Sequence, residues 1–99
     1  MTPSTRRVLL IEDNDSDAQL YAAMLQELQA DTVDNPTATP TDVERVTALE
    51  PGLAELTDRG QTYDAVLLDL NLPDSTGLET VDRVVAADSD VAIVVLTSV

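Results

Sequence analysis

Three aliphatic runs constrain this chain more than anything else in it: Val8-Leu9-Leu10-Ile11, Ala65-Val66-Leu67-Leu68 and Val91-Ala92-Ile93-Val94-Val95-Leu96. None alternates apolar with polar residues. A strand covered on one face alternates, so unbroken runs are expected of strands buried on both faces, as in a parallel sheet sandwiched by helices. Each run is short, and the first and last are rich in β-branched residues, which favours strand over helix. A weaker run, Asp42 to Val46, has only Val43 and Val46 as apolar residues and is expected at a sheet edge.

Helical spacing fills the gaps. From Ser16 to Gln29, Leu20, Met24 and Leu28 recur every four residues, with Tyr21 and Leu25 beside them, and Asp15 or Ser16 can cap the start. From Pro51 to Arg59, Leu53 and Leu56 share a face; Pro51 suits a first turn and Gly60 a C-terminal cap. From Thr76 to Ala87, Leu78, Val81 and Val85 form a stripe, and Thr76 with Glu79 has capping-box spacing. Residues 30–41, with Asn35-Pro36 and Pro40, read as a surface loop. The order β-α-β-α-β-α-β over one domain, residues 1–99, predicts a doubly wound α/β fold with right-handed crossovers. The chain stops at Val99, directly after an apolar strand. That strand's outer edge is expected to be bare, the domain C-terminally incomplete, and homodimerisation or edge-strand association a consequence.

Composition narrows the chemistry. Cysteine and histidine are both absent, which excludes thiolate metal sites, cysteine nucleophiles, imidazole bases and His-ligated zinc. Nineteen acidic residues against five basic ones give a net charge of −14, and all five basic residues are arginine. Such a surface repels phosphate backbones and anionic lipids, so direct nucleic-acid or membrane binding is not expected. It suits a high-salt cytoplasm or simply ordinary solubility. No segment approaches the roughly 20 apolar residues of a membrane span, and Met1 to Arg7 lacks the apolar stretch of a signal peptide, so a cytoplasmic location is expected.

Three acids stand at strand ends: Glu12 and Asp13 after the first run, Asp69 after the second. Open parallel sheets bind ligands at the carboxyl ends of their strands, near the point where strand order reverses. If these strands are neighbours, the carboxylates converge. Crowded carboxylates repel one another unless a hard cation such as Mg²⁺ lies among them. Asp15, Asp17, Asp74 and Asp88 are expected to be solvated or to cap helices and turns. Other motifs fail. Asp13 to Asp17 begins like an EF-hand loop, but Ala18 stands where glycine is needed and Met24 where the bidentate Glu should be. No GxGxxG or Walker A sequence is present.

Three segments together resemble the receiver domain of two-component response regulators. They are Val8 to Asn14, then Tyr63 to Glu79 (YDAVLLDLNLPDSTGLE), then Val94 to Ser98. The resemblance implies a flavodoxin-like sheet of strand order 2-1-3-4, with the family's fifth strand, its lysine and the last helices absent. It implies that Asp69 is the phosphoacceptor, taking a phosphoryl group from a sensor histidine kinase or a phosphotransfer protein. It further implies Mg²⁺ held by Asp13, Asp69 and the backbone carbonyl of Asn71, with Glu12 acting mainly through water. Thr97 would contact the phosphoryl group and act as the switch, while Pro73 and Gly77 would shape the loop after Asp69. A carboxylate needs no base to be a nucleophile, and phosphoryl transfer needs mainly positioning and charge neutralisation. Such a domain is a signalling phosphoprotein rather than an enzyme. Two alternatives stay open: an Mg²⁺-dependent phosphohydrolase with Asp69 as nucleophile, against which Asn71 lacks an acid's proton, and a non-phosphorylated receiver-like interaction scaffold.

Overall fold

A computed structural model describes residues 6–30, 41–58, 60 and 62–96. The elements run β1 (Arg6–Ile11), α1 (Asp15–Ala30), β2 (Thr41–Val46), α2 (Leu49–Thr57), β3 (Ala65–Asp69), β4 (Asn71–Leu72), β5 (Ser75–Thr76), α3 (Glu79–Ala87) and β6 (Ala92–Leu96). Four strands form one sheet in the order β2-β1-β3-β6, every pairing parallel. The expected 2-1-3-4 order is therefore present, with β6 as the fourth strand and the weakly apolar β2 at an edge. Residues 31–40, most of the expected surface loop, lie outside the described residues, as does Thr97.

The pleat sorts each strand between two layers. Leu9, Ile11, Val66 and Leu68 join Leu49 and Leu56 of α2 and Val84 of α3 in the main core, with Leu72, Tyr63 and Val91 around them. Gly52 lets α2 approach: a Cβ there would lie 2.6 Å from Cδ1 of Ile11. On the other face, Leu10 and Ala18 of α1 line a groove with Val43 and Arg45 of β2.

Two helical stripes face differently from expectation. In α1, Ala18 is buried, whereas Leu20 and Met24 are 57% and 51% exposed. Leu78, just before α3, and Val85 within it are 75% and 44% exposed, and Thr80 and Val84 turn inward. Thr80 can be buried because its hydroxyl is satisfied: Thr80 Oγ1 and Ser75 Oγ share a hydrogen bond of 2.7 Å. The last aliphatic run is also not covered on both faces, since Val94 and Val95 of β6 are 50% and 40% exposed.

Helix ends differ as well. Asn14 caps α1, its Oδ1 accepting the Asp17 N–H at 2.9 Å, in place of Asp15 or Ser16. The Thr76–Glu79 capping box does not form, because Thr76 is drawn into β5 and Leu78 precedes the helix without a side-chain cap. α2 ends on extended Asp58, whose Oδ1 accepts the Gly60 N–H at 2.9 Å, so Gly60 is not a helical cap. Between β3 and α3 stands an element the sequence pattern did not announce, the antiparallel β4–β5 hairpin. Gly77 closes it at φ +76°, donating its N–H to the Leu70 carbonyl at 2.8 Å.

Candidate functional site

The site is a product of strand register. Ile11 of β1 pairs with Leu68 of β3, so the next residues, Glu12 and Asp69, emerge side by side at the carboxyl end of the sheet. Both are nearly sealed, at 2% and 6% exposure, whereas Asp13 is open to solvent. One carboxylate oxygen from each of Glu12, Asp13 and Asp69 lies within 4.8 Å of the others. The convergence expected from the sequence is present.

Backbone contacts fix these groups. Glu12 donates its N–H to the Val46 carbonyl of β2 at 3.1 Å. Its own carbonyl accepts Nε and Nη2 of Arg45 at 3.1 and 3.0 Å, and its Oε1 accepts the Asn14 N–H at 3.0 Å. Arg45 also pairs with Asp15 at 2.9 Å. Asp69 Oδ1 accepts the Asn71 N–H at 3.0 Å, which places Asn71 at the root of the hairpin beside the cluster.

Burial dominates the electrostatics. It raises the Glu12 carboxyl from the ordinary 4.5 to about 7; a hydrogen bond to Asp69 and the charges of Asp69 and Asp17 push the same way, against the Asn14 N–H. Near neutral pH Glu12 is thus partly protonated in the site without metal. An all-oxygen donor set with crowded negative charge fits a hard divalent cation, which would replace that proton.

The acids assigned structural roles have them. Asp15 pairs with Arg45, Asp17 lies in the first turn of α1, and Asp88 Oδ1 accepts the Asp90 N–H at 3.0 Å. Asp74 caps α2 from a distance: its Oδ1 and Oδ2 accept the N–H groups of Leu49 and Glu50 at 2.8 and 2.9 Å. Sequence reasoning missed Arg45. A lone arginine inside a strand, preceded by Asp42 and Glu44, was the available signal.

Three carboxylates gathered past β1 and β3 of an open parallel sheet form an acidic site at its carboxyl end. Residues 8–99 match the response regulator receiver domain, and the chain belongs to that family. It is thereby a component of the two-component phosphorelay type. Among solved structures, the MaeR response regulator bound to beryllium trifluoride matches with a TM-score of 0.74 and 17% identity over 96% of this chain and 69% of that one. A sensor protein from Polaromonas sp. JS666 matches with 0.69 and 26% over 93% and 65%. A CheY-like response regulator receiver domain protein from Methanospirillum hungatei JF-1 matches with 0.68 and 19% over 97% and 69%. The chain spans 65 to 69% of the length of these three. Comparison with curated proteins gave no match. Among the described residues, no helix is long and apolar enough to cross a membrane.

Proposed function

We propose that this receiver domain accepts a phosphoryl group on Asp69 from the phosphohistidine of a sensor kinase or phosphotransfer protein in the cytoplasm, in an Mg²⁺-dependent step that switches a downstream output. The observation that carries this is the meeting of the Glu12, Asp13 and Asp69 carboxylates within 4.8 Å at the carboxyl end of adjacent parallel strands.

The chain's own groups divide the work. Asp69 supplies a carboxylate oxygen that attacks phosphorus. The phosphorus–nitrogen bond of the donor breaks, its electron pair stays with the imidazole nitrogen, and a mixed anhydride remains on Asp69. The Asn71 N–H holds Oδ1 of Asp69 and so orients the nucleophile. Asp13, Asp69 and the Asn71 carbonyl would hold Mg²⁺, with Glu12 acting mainly through water; the ion, when bound, neutralises charge on the phosphoryl oxygens. Thr97 would donate its hydroxyl to a phosphoryl oxygen of the product. Asn71, two residues past Asp69, carries a carboxamide that cannot protonate a leaving group, which favours a phosphoacceptor over a phosphohydrolase.

A small acyl phosphate donor with Mg²⁺ should label Asp69 alone, detected by intact-mass and peptide analysis, and Asp69→Asn should abolish the label. Label that survives the substitution rules out Asp69. Continuous phosphate release without a retained label favours the phosphohydrolase instead.

A further inference from the structure

A closed circuit of hydrogen bonds and chain connections runs through the acidic cluster. It starts at Glu12, whose N–H is held by the Val46 carbonyl at the end of β2. Three residues on, the N-terminus of α2 begins at Leu49. The leading N–H groups of that helix have no side-chain cap from Ala48 and are bound instead by Asp74. Asp74 lies at the turn of the hairpin whose first residue, Asn71, donates its N–H to Asp69. Asp69 lies beside Glu12, and the ring is complete.

We propose that Asp74 is a positioning residue for the Glu12–Asp13–Asp69 cluster: by clamping α2 it fixes the hairpin that carries Asn71 beside Asp69. The hairpin needs such a clamp. It is two residues long on each side and pairs with no strand of the main sheet. Its root is held by the Gly77–Leu70 bond, its flank by the buried Leu72 and its second strand by the Ser75–Thr80 hydrogen bond to α3, while Asp74 ties its tip to α2. Both carboxylate oxygens are engaged, each on an N–H that a helix start leaves without an internal partner, and the helix dipole favours the negative charge there. Glu50, one of the clamped residues, forms an ion pair with Arg83 of α3, so the anchor is itself braced against a second helix.

This inference rests on the proposed cation site, and the test separates the two. Mg²⁺ is titrated into the protein while the amide signals of residues 12–14 and 69–71 are followed. In Asp74→Ala the affinity is expected to fall about 3- to 10-fold, at or below the usual effect of removing a group that orients metal ligands. Asp74→Asn, which keeps one acceptor oxygen, is expected to fall between the two. Leu53→Ala, which weakens α2 packing without touching the clamp, serves as the stability control and leaves the affinity of the folded protein unchanged. A merely structural Asp74 would behave like Leu53. Coupling is reciprocal, so Mg²⁺ should also slow hydrogen exchange at the Leu49 and Glu50 amides of the unmodified protein, which gives a readout even if Asp74→Ala does not fold. Wild-type protein that binds no Mg²⁺ sinks the proposed function and this inference with it. Wild-type binding with unaltered affinity in Asp74→Ala, or unaltered exchange at Leu49 and Glu50, overturns the positioning role alone.

Discussion

Glu12 should make the protein without divalent cations lose stability as pH rises through neutrality. Its carboxyl is shifted upward, from 4.5 to about 7, chiefly because it is sealed from water. Between those values the folded state binds a proton that the unfolded state releases, so unfolding becomes easier as pH increases. The stabilisation is whole below pH 4.5 and is lost as pH climbs through about 7. At about 1.4 kcal/mol per pH unit, the gap sets a ceiling of about 3 kcal/mol. That is a large share of the 5–15 kcal/mol typical of a domain. The window is unusually clean because the sequence contains no histidine. The shifted tyrosines are both raised above 10, and Asp74 is held below 3.8, so neither interferes between pH 5 and 8. The assay is urea unfolding followed by circular dichroism at pH 5, 6.5 and 8 with a chelator present. A urea slope of about 1–2 kcal/mol/M for this size converts the ceiling into a midpoint shift of about 1.5–3 M. Glu12→Gln, a neutral near-isostere, should flatten the dependence. Stability that stays level or rises from pH 5 to 8, or a slope that persists in Glu12→Gln, would refute the reasoning.

Further outcomes follow from other parts of the structure. Asp13→Ala should lose Mg²⁺ binding with little loss of stability, because Asp13 is exposed and one of three crowded like charges; calorimetric titration and a thermal melt check the two halves. Gly77→Ala should cost about 1 kcal/mol, or about 4–8 °C in melting temperature, from backbone strain alone, since φ is +76° and a Cβ there would meet nothing within 4 Å. The 99-residue chain should associate as salt rises, because β6 is the outer strand with Val94 and Val95 exposed, and screening falls from about 10 Å at 0.1 M to about 3 Å at 1 M. Sedimentation at both salts tests this, and Val94→Lys should suppress it; a monomer throughout contradicts it.

Strand positions and the acidic cluster were legible because one physical cause wrote both. Burial on two faces leaves unbroken aliphatic runs, and the residues that follow them must lie at the ligand-binding end of the sheet. Helix facing was less legible. The inward positions of α1 and α3 include Ala18 and Thr80, which a search for large apolar residues passes over. Thr80 is buried only because Ser75 satisfies its hydroxyl, a pairing invisible until the hairpin forms. The Asp74 clamp spans 24 and 25 residues, beyond any local capping pattern. Thr76 and Glu79 had the right spacing for a capping box, but the hairpin claimed Thr76 first.

The parallel ladder between β1 and β3 bears on sequence drift. Glu12 and Asp69 are adjacent because Ile11 and Leu68 pair through main-chain groups, which every aliphatic residue offers alike. Val66 or Leu68 can be exchanged for another branched apolar residue of similar volume, at modest cost, without moving either carboxylate. Insertion or deletion of one residue within β1 or β3 would instead turn every following side chain to the opposite face and part the acids. Selection on this site therefore polices the spacing of the chain far more strictly than the identity of its core.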